Sequence, residues 1–231
     1  MSELRKNLDQ LALRLDQMGL RVERAVMDSI RAVREGDIEL GRQIDAGDGV
    51  IDREEVEIQQ ECVRLLALFQ PAAVDLRTIF AIIQINSDLE RIGDIAARVG
   101  RRVKYAVAQR VNLDQYPGLT QLAELVTSLL GKTVRLLTNA DADAARSVIA
   151  ADIQIDQAYQ RVMQAALGGE RTPEGGLEVA MTLVLLARAL ERIGDHCTNI
   201  AEDVVFLRTG DILRHAAAQQ QEATGPGTSE R

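Results

Sequence analysis

The chain of 231 residues is 46% apolar and 27% charged, a balance that is typical of a globular protein and excludes an intrinsically disordered one. It has four prolines, only 3% aromatic residues and no tryptophan, so we predict an all-α fold. The formal net charge of −8, with no block of five or more Lys or Arg, argues against a nucleic-acid-binding protein.

The first half of the chain shows the apolar spacing of three long helices. Apolar residues recur three and four positions apart over residues 3–35, which predicts a helix that ends at Gly36. A second helix is expected over residues 37–69, before Pro71, because a residue that precedes proline is pushed out of the helical region. The third is expected over residues 74–107. Three helices of this length predict an elongated antiparallel bundle.

The second half repeats this organisation after a break. Residues 109–118 carry no helical period and indicate a linker. Further helices are predicted over residues 119–138, 140–167 and 174–207. The tail, residues 216–231, is rich in Gln, Gly, Thr and Ser, and we expect it to be disordered.

An internal repeat supports this division. The hexapeptide Leu-Glu-Arg-Ile-Gly-Asp occurs at residues 89–94 and again at residues 190–195. A weaker similarity relates residues 48–52 to residues 152–156. The chain is therefore predicted to be a tandem duplication of a three-helix bundle. The predicted domains are residues 1–110 and 118–210.

The repeated motif places oxygen-bearing side chains along one stripe of a helix. In the second copy Glu191 and Asp195 lie one turn apart, and Asn199 follows after another turn. Viewed along the helix axis, the direction of Glu202 falls between those of the other three. Carboxylates that are close together and partly buried need a cation or a proton. Oxygen ligands favour hard or borderline cations such as Mg²⁺, Mn²⁺ or iron over tetrahedral zinc.

Acidic residues on the preceding helix of each bundle are further candidate ligands. Asp48 and Asp52 share a helical face, as do Asp152 and Asp156. The alternative for Glu191 and Asp195 is that they form surface contacts with Arg188 and Arg192 of their own helix. The alternative for the acids of the preceding helix is that they are solvated side chains.

The histidines and cysteines give little support to an enzyme. The only histidines are His196 and His215, and neither follows an acid in the Glu-x-x-His arrangement of di-iron oxidases. We expect His196 to be a packed histidine, or one that supports a ligand. Cys62 and Cys197 lie far apart without a CxxC motif, which indicates structural thiols in a reducing compartment.

With its doubled Leu-Glu-Arg-Ile-Gly-Asp motif and the stretch at residues 70–77, the sequence resembles the PhoU family over nearly its whole length. The resemblance implies two three-helix bundles with bound multinuclear metal, iron or zinc, and with Mg²⁺ or Mn²⁺ as alternatives. The ligands that it implies are Glu90, Asp94, Glu191, Asp195 and Asn199.

The resemblance also implies a function without catalysis. Members of this family act as negative regulators of phosphate uptake and of the phosphate-starvation response, through the phosphate ABC transporter and a sensor histidine kinase. We therefore expect a cytoplasmic protein, a homodimer, that reaches the membrane only through protein partners. The alternatives are a carboxylate-bridged metalloenzyme and a purely structural helical scaffold.

The two copies of the motif differ just beyond their shared residues. The differing pairs are Arg98 and Asn199, Arg101 and Glu202, and Arg102 and Asp203. Because Arg98 lies four residues after Asp94, it can satisfy that carboxylate within the helix. The first metal site is thus expected to be weaker than the second.

Overall fold

The computed structural model describes residues 2–167 and 176–213. Within these residues the chain is all-α, as predicted, and contains no strand. Its elements are α1 (Glu3–Glu35), α2 (Ile38–Phe69), α3 (Ala73–Ala108), a 3₁₀ helix (Leu113–Gln115), α4 (Pro117–Asn139), α5 (Ala142–Leu167) and α6 (Gly176–Thr209).

The first helices begin and end at the residues that local chemistry favours. The Ser2 side chain caps α1 by accepting a hydrogen bond from the Arg5 backbone N–H. Gly36 ends α1 with φ +68°, a left-handed conformation that glycine adopts without a steric cost. Asp37 then caps α2 by accepting from the Leu40 N–H, so it precedes this helix instead of forming its first turn.

The predicted helix bounds in the second half differ from the observed ones by at most two residues. α4 begins at Pro117, inside the predicted linker, because proline lacks the N–H that a first helical residue leaves unpaired anyway. The linker also contains the 3₁₀ helix, in which the Asn112 side chain accepts from the Asp114 N–H. α5 begins two residues later than predicted, and α6 runs two residues further, to Thr209. The tail predicted at residues 216–231 and most of the loop before α6 lie outside the described residues.

The six helices form two three-helix bundles, α1–α3 and α4–α6, and these pack against each other through α3 with α6 and α1 with α4. α3 and α6 run antiparallel. At one end of this pair the rings of Phe80 and Phe206 meet edge to face with centroids 6.0 Å apart. At the other end the Thr182 hydroxyl donates to the Gln109 side chain. The interface thus extends along most of both helices.

Each bundle encloses one cysteine in its apolar core. Cys62 on α2 and Cys197 on α6 are fully buried free thiols. Burial is the main cause that raises the pKa of each thiol to about 12. They are packing residues, as predicted. No helix in the described part of the chain is long and apolar enough to span a bilayer.

Candidate functional site

The first copy of the repeated motif faces two acids of the neighbouring helix. Glu90 on α3 has its pKa raised by burial, then by the nearby charges of Asp94 and Asp52. The pKa of Asp48 on α2 is raised by burial, and further by Asp52 and Asp94. The buried Oδ1 of Asp48 has no hydrogen-bond partner. The structure therefore brings four predicted acids into one cluster, which we call the first acidic cluster: Asp48, Asp52, Glu90 and Asp94.

Arginines neutralise part of the first acidic cluster. Arg98 Nη1 donates to Asp94 Oδ2 at 2.9 Å, the intrahelical pair that the sequence predicted. Arg101 forms an ion pair with Asp45 on α2, and its charge offsets part of the rise in the pKa of Asp48. A cation that entered this cluster would compete with these guanidinium groups.

The second copy forms an equivalent cluster between α5 and α6. Burial is the main cause that raises the pKa of Asp152 to about 6, followed by the charges of Asp156 and Asp195. Burial likewise raises the pKa of Asp195 to about 6, followed by the charges of Glu191 and Asp156. The pKa of Glu191 is also raised, mainly by burial. We call this set the second acidic cluster: Asp152, Asp156, Glu191 and Asp195.

Two carboxylate oxygens in the second acidic cluster are buried without a hydrogen-bond partner, Oδ1 of Asp152 and Oε2 of Glu191. Unpaired buried oxygens of this kind are costly, because the water that they lost has not been replaced. The cluster is therefore electrostatically unfavourable as it stands, and a proton or a cation would relieve it.

The glycine of the motif explains why the acids face each other. A Cβ added to Gly93 would lie 3.0 Å from Ile51 Cδ1 and 3.8 Å from Asp48 Oδ1. A Cβ added to Gly194 would lie 3.1 Å from Ile155 Cδ1. Glycine thus permits the close packing of α2 on α3 and of α5 on α6, which positions the aspartates of α2 and α5 beside the motif.

Two of the predicted ligands lie elsewhere. Asn199 Nδ2 donates to Asp88 Oδ1 at 3.5 Å across the interface between the bundles. Glu202 lines a small cavity with Phe80 and Phe206 near the C-terminal end of α6. Both side chains therefore have surroundings other than the four acids of the second acidic cluster.

A buried polar pair joins the two bundles at the interface between α3 and α6, beside the contact of Asn199 with Asp88. Because a carboxylate can only accept, His196 Nδ1 donates to Asp88 Oδ1, at 2.8 Å. Sequence reasoning expected a packed histidine but missed Asp88. The repeat contains the signal, since Asp88 aligns with Ala189 and His196 with Ile95, a matched change from apolar to polar.

The donor chemistry of both clusters fits a hard divalent cation, which prefers carboxylate oxygens. In residues 2–167 and 176–213, no three Asp, Glu, His or Cys side chains converge as a ready-made metal site. The clusters instead supply facing carboxylates with orphaned oxygens, and side-chain rotation would have to bring them together around an ion. His215 lies outside the described residues.

Comparison with known proteins gives a consistent family match. The family model described as PhoU domain matches residues 15–103 and again residues 119–204. A Pseudomonas putida protein named phosphate-specific transport system accessory protein PhoU homolog is 33% identical over 204 residues, covering 88% of this chain and 80% of that protein. An Aquifex aeolicus protein of the same name is 32% identical over 191 residues, covering 83% and 86%.

Solved structures extend the match to the fold. The crystal structure of the phosphate transport system regulatory protein PhoU from Streptococcus pneumoniae has a TM-score of 0.80 at 27% identity, covering 91% of this chain and 99% of that one. The crystal structure of PhoU from Pseudomonas aeruginosa has a TM-score of 0.79 at 32% identity, covering 90% and 100%.

Proposed function

The chain belongs to the PhoU family, and from this membership we propose that it is a regulatory accessory protein of phosphate transport that restrains phosphate uptake and phosphate-starvation signalling. The observation that carries the proposal is the doubled motif on two packed bundles, since the PhoU domain matches each bundle separately. Similar proteins from several bacteria carry the name of transport accessory proteins, which supports the same role.

We further propose that it works in the cytoplasm by contact with the phosphate ABC transporter and with a sensor histidine kinase, as a homodimer. A chain with net charge −8 is repelled on average by anionic lipid, so protein partners are the more favourable route to the membrane. Exposed apolar side chains on α3 and α6, among them Phe80, Met181 and Leu185, supply surface for such contacts.

The proposed action is not catalysis. An enzyme of the carboxylate-bridged type needs a metal with an open position and a positioned group for proton transfer. His196, the obvious candidate for that group in the described residues, is buried and bonded to Asp88 at the bundle interface. The chemistry that surrounds it suits structural coupling of the bundles.

Metal binding is part of the proposal. Glu191, Asp195, Asp152 and Asp156 would hold a divalent cation, iron or zinc, or else Mg²⁺ or Mn²⁺, in the second acidic cluster. A bound cation would supply positive charge to carboxylates whose pKa values are raised by burial and by one another. In the first acidic cluster, Arg98 already supplies part of that charge.

The test is a deletion strain complemented with the intact gene. We expect deletion to raise phosphate uptake and alkaline phosphatase expression in phosphate-rich medium, and complementation to restore both. Affinity capture of the protein from cells, after nuclease treatment, should recover the transporter or the kinase. Unchanged uptake and expression, with neither partner recovered, would make the structural scaffold the better account.

A further inference from the structure

A basic cavity opens at one end of the first bundle, between the start of α2 and the end of α3. Its volume is about 560 Å³. Five cationic side chains line it and face a single carboxylate, Asp45. The cations are Arg42, Arg98, Arg101, Arg102 and Lys104. The cavity is therefore positively charged, although the chain as a whole has a net charge of −8.

Three of the cations already have carboxylate partners. Arg101 pairs with Asp45, Arg98 with Asp94 at 2.9 Å, and Arg42 with Glu39 at 3.4 Å. No ion pair within the described residues involves the other two, Arg102 and Lys104. The Lys104 ammonium lies over the Tyr105 ring, 4.9 Å from its centroid. The cavity therefore carries a surplus of positive charge.

The floor of the cavity is backbone. A Cβ added to Gly41 would lie 2.6 Å from the Gly100 carbonyl oxygen, and one added to Gly100 would lie 2.6 Å from the Gly41 carbonyl oxygen. The two glycines thus let α2 and α3 approach closely beneath the long basic side chains. At the equivalent positions the second repeat has Ala145 and Ala201.

Most of the cationic character also belongs to the first repeat alone, although Arg42 aligns with Arg146. Arg102 aligns with Asp203, and Lys104 aligns with Val205. The net negative charge of the chain does not cancel the local field, since exposed charges beyond about 8 Å are screened at physiological salt. An anion at this end of the molecule would respond mainly to the side chains that line the cavity.

We propose that this cavity binds a phosphate group through the cationic side chains that line it, of which Arg102 and Lys104 have no ion-pair partner among the described residues. Guanidinium groups bind phosphate oxygens with two parallel hydrogen bonds, and an ammonium adds a point charge. The phosphate group has two possible sources, free inorganic phosphate and the headgroup of an anionic lipid. The inference goes beyond the proposed regulatory function and does not require it, because binding is measured on the purified chain.

The first experiment titrates the full, metal-free chain with inorganic phosphate by isothermal calorimetry, in a buffer without phosphate or sulfate. We expect saturable binding that weakens by at least about tenfold in the double variant Arg102→Gln/Lys104→Gln, because the two cavity cations without a carboxylate partner are removed. The matched control is Lys132→Gln/Arg161→Gln, which removes the same charge from exposed positions of the second bundle. It should bind like the unmodified chain.

The second experiment asks whether a lipid supplies the phosphate group. The same three proteins are sedimented with phosphatidylcholine vesicles, with and without phosphatidylglycerol. Binding that needs phosphatidylglycerol and is lost only in the cavity variant would assign the lipid source, whereas saturable calorimetric binding without sedimentation would assign the free ion.

Circular dichroism should show that both variants fold, since Arg102 is only half-buried and the other three substituted side chains are exposed. Either of the positive patterns supports the proposal. If the cavity variant binds phosphate and vesicles as the control does, or if the unmodified chain binds neither, the proposal is wrong. The result leaves the transport phenotype of the deletion strain untouched, so the two conclusions fail separately.

Discussion

At the scale of single residues, the two acidic clusters differ in what surrounds equivalent carboxylates. In the first, Asp94 accepts a hydrogen bond from Arg98. In the second, the aligned Asp195 has a pKa raised to about 6, by burial and then by neighbouring acids. The same motif therefore produces one cluster that is partly neutralised by an arginine of its own helix and one whose carboxylates have raised pKa values.

Metal content should reveal this asymmetry. We expect Glu191→Ala/Asp195→Ala to lower bound metal more than Glu90→Ala/Asp94→Ala, because a cation in the first cluster competes with Arg98. The two variants remove the same chemical groups and so control for each other. Elemental analysis of protein purified without a histidine tag measures the loss, and equal losses would contradict the expectation.

Proton uptake provides a second prediction. The raised pKa values of Asp152 and Asp195 mean that the metal-free folded state binds more protons than the unfolded state between about pH 4 and pH 6. The free energy of unfolding should therefore rise as the pH falls from about 7 to about 5. Because these groups are partly exposed, we expect about 1 kcal/mol instead of the full value of the shifts.

Urea denaturation at several pH values, in the presence of a chelator, measures this dependence, and Asp152→Asn should flatten it. Bound metal should behave in the opposite way, since protons compete for the same oxygens. A free energy of unfolding that falls steadily from pH 7 to pH 5 without metal would contradict the assignment.

At the scale of helices, most of the fold could be predicted from the sequence. The apolar spacing, together with the glycines and prolines near helix ends, predicted all six helices. The predicted end before Pro71 agrees with the observed end of α2 at Phe69. The register between helices could not be predicted, because it depends on contacts such as the approach of Gly41 to Gly100. The spacing of the acids predicted which of them share one side of a helix. It could not predict that the acids of α2 lie beside those of α3, because that depends on how the two helices pack.

The helix crossing at Gly41 is testable. Gly41→Ala places a methyl group 2.6 Å from a backbone oxygen, so α2 and α3 must separate, at a cost of about 1–3 kcal/mol. Gly47→Ala in the same helix has nothing within 4 Å, so it should stabilise the chain by about 0.5–1 kcal/mol through helix propensity. Thermal unfolding of the two variants compares them directly, and shifts of the same sign would contradict the crossing.

The polar pair between α3 and α6 can be tested by a double-mutant cycle. Asp88→Ala leaves the buried His196 Nδ1–H without its acceptor and should cost about 1–3 kcal/mol. The double variant Asp88→Ala/His196→Ile installs the residues that the repeat carries at Ala189 and Ile95. We expect it to be more stable than the sum of the single changes by at least about 1 kcal/mol in urea denaturation. Additive effects would mean that the pair does not couple the helices.

At the scale of the whole molecule, duplication has produced two similar bundles with different charge at equivalent positions. They share a long interface through α3 with α6 and α1 with α4, so one side of each bundle is covered by the other bundle. The first bundle carries the basic cavity, and the second carries the cluster with the most strongly raised pKa values. A tandem repeat of this kind can separate two ligand chemistries within one chain.

The two buried cysteines allow the rate at which each bundle unfolds locally to be measured separately. Cys62 reports on the first bundle and Cys197 on the second, and neither thiol reacts while it is fully buried. If the shared interface makes the bundles open together, a thiol-specific reagent should modify both at one rate under mildly denaturing conditions, as read by peptide mass spectrometry. Faster modification at either cysteine would identify the half that opens first, and with it the half best suited to remodel when a partner binds.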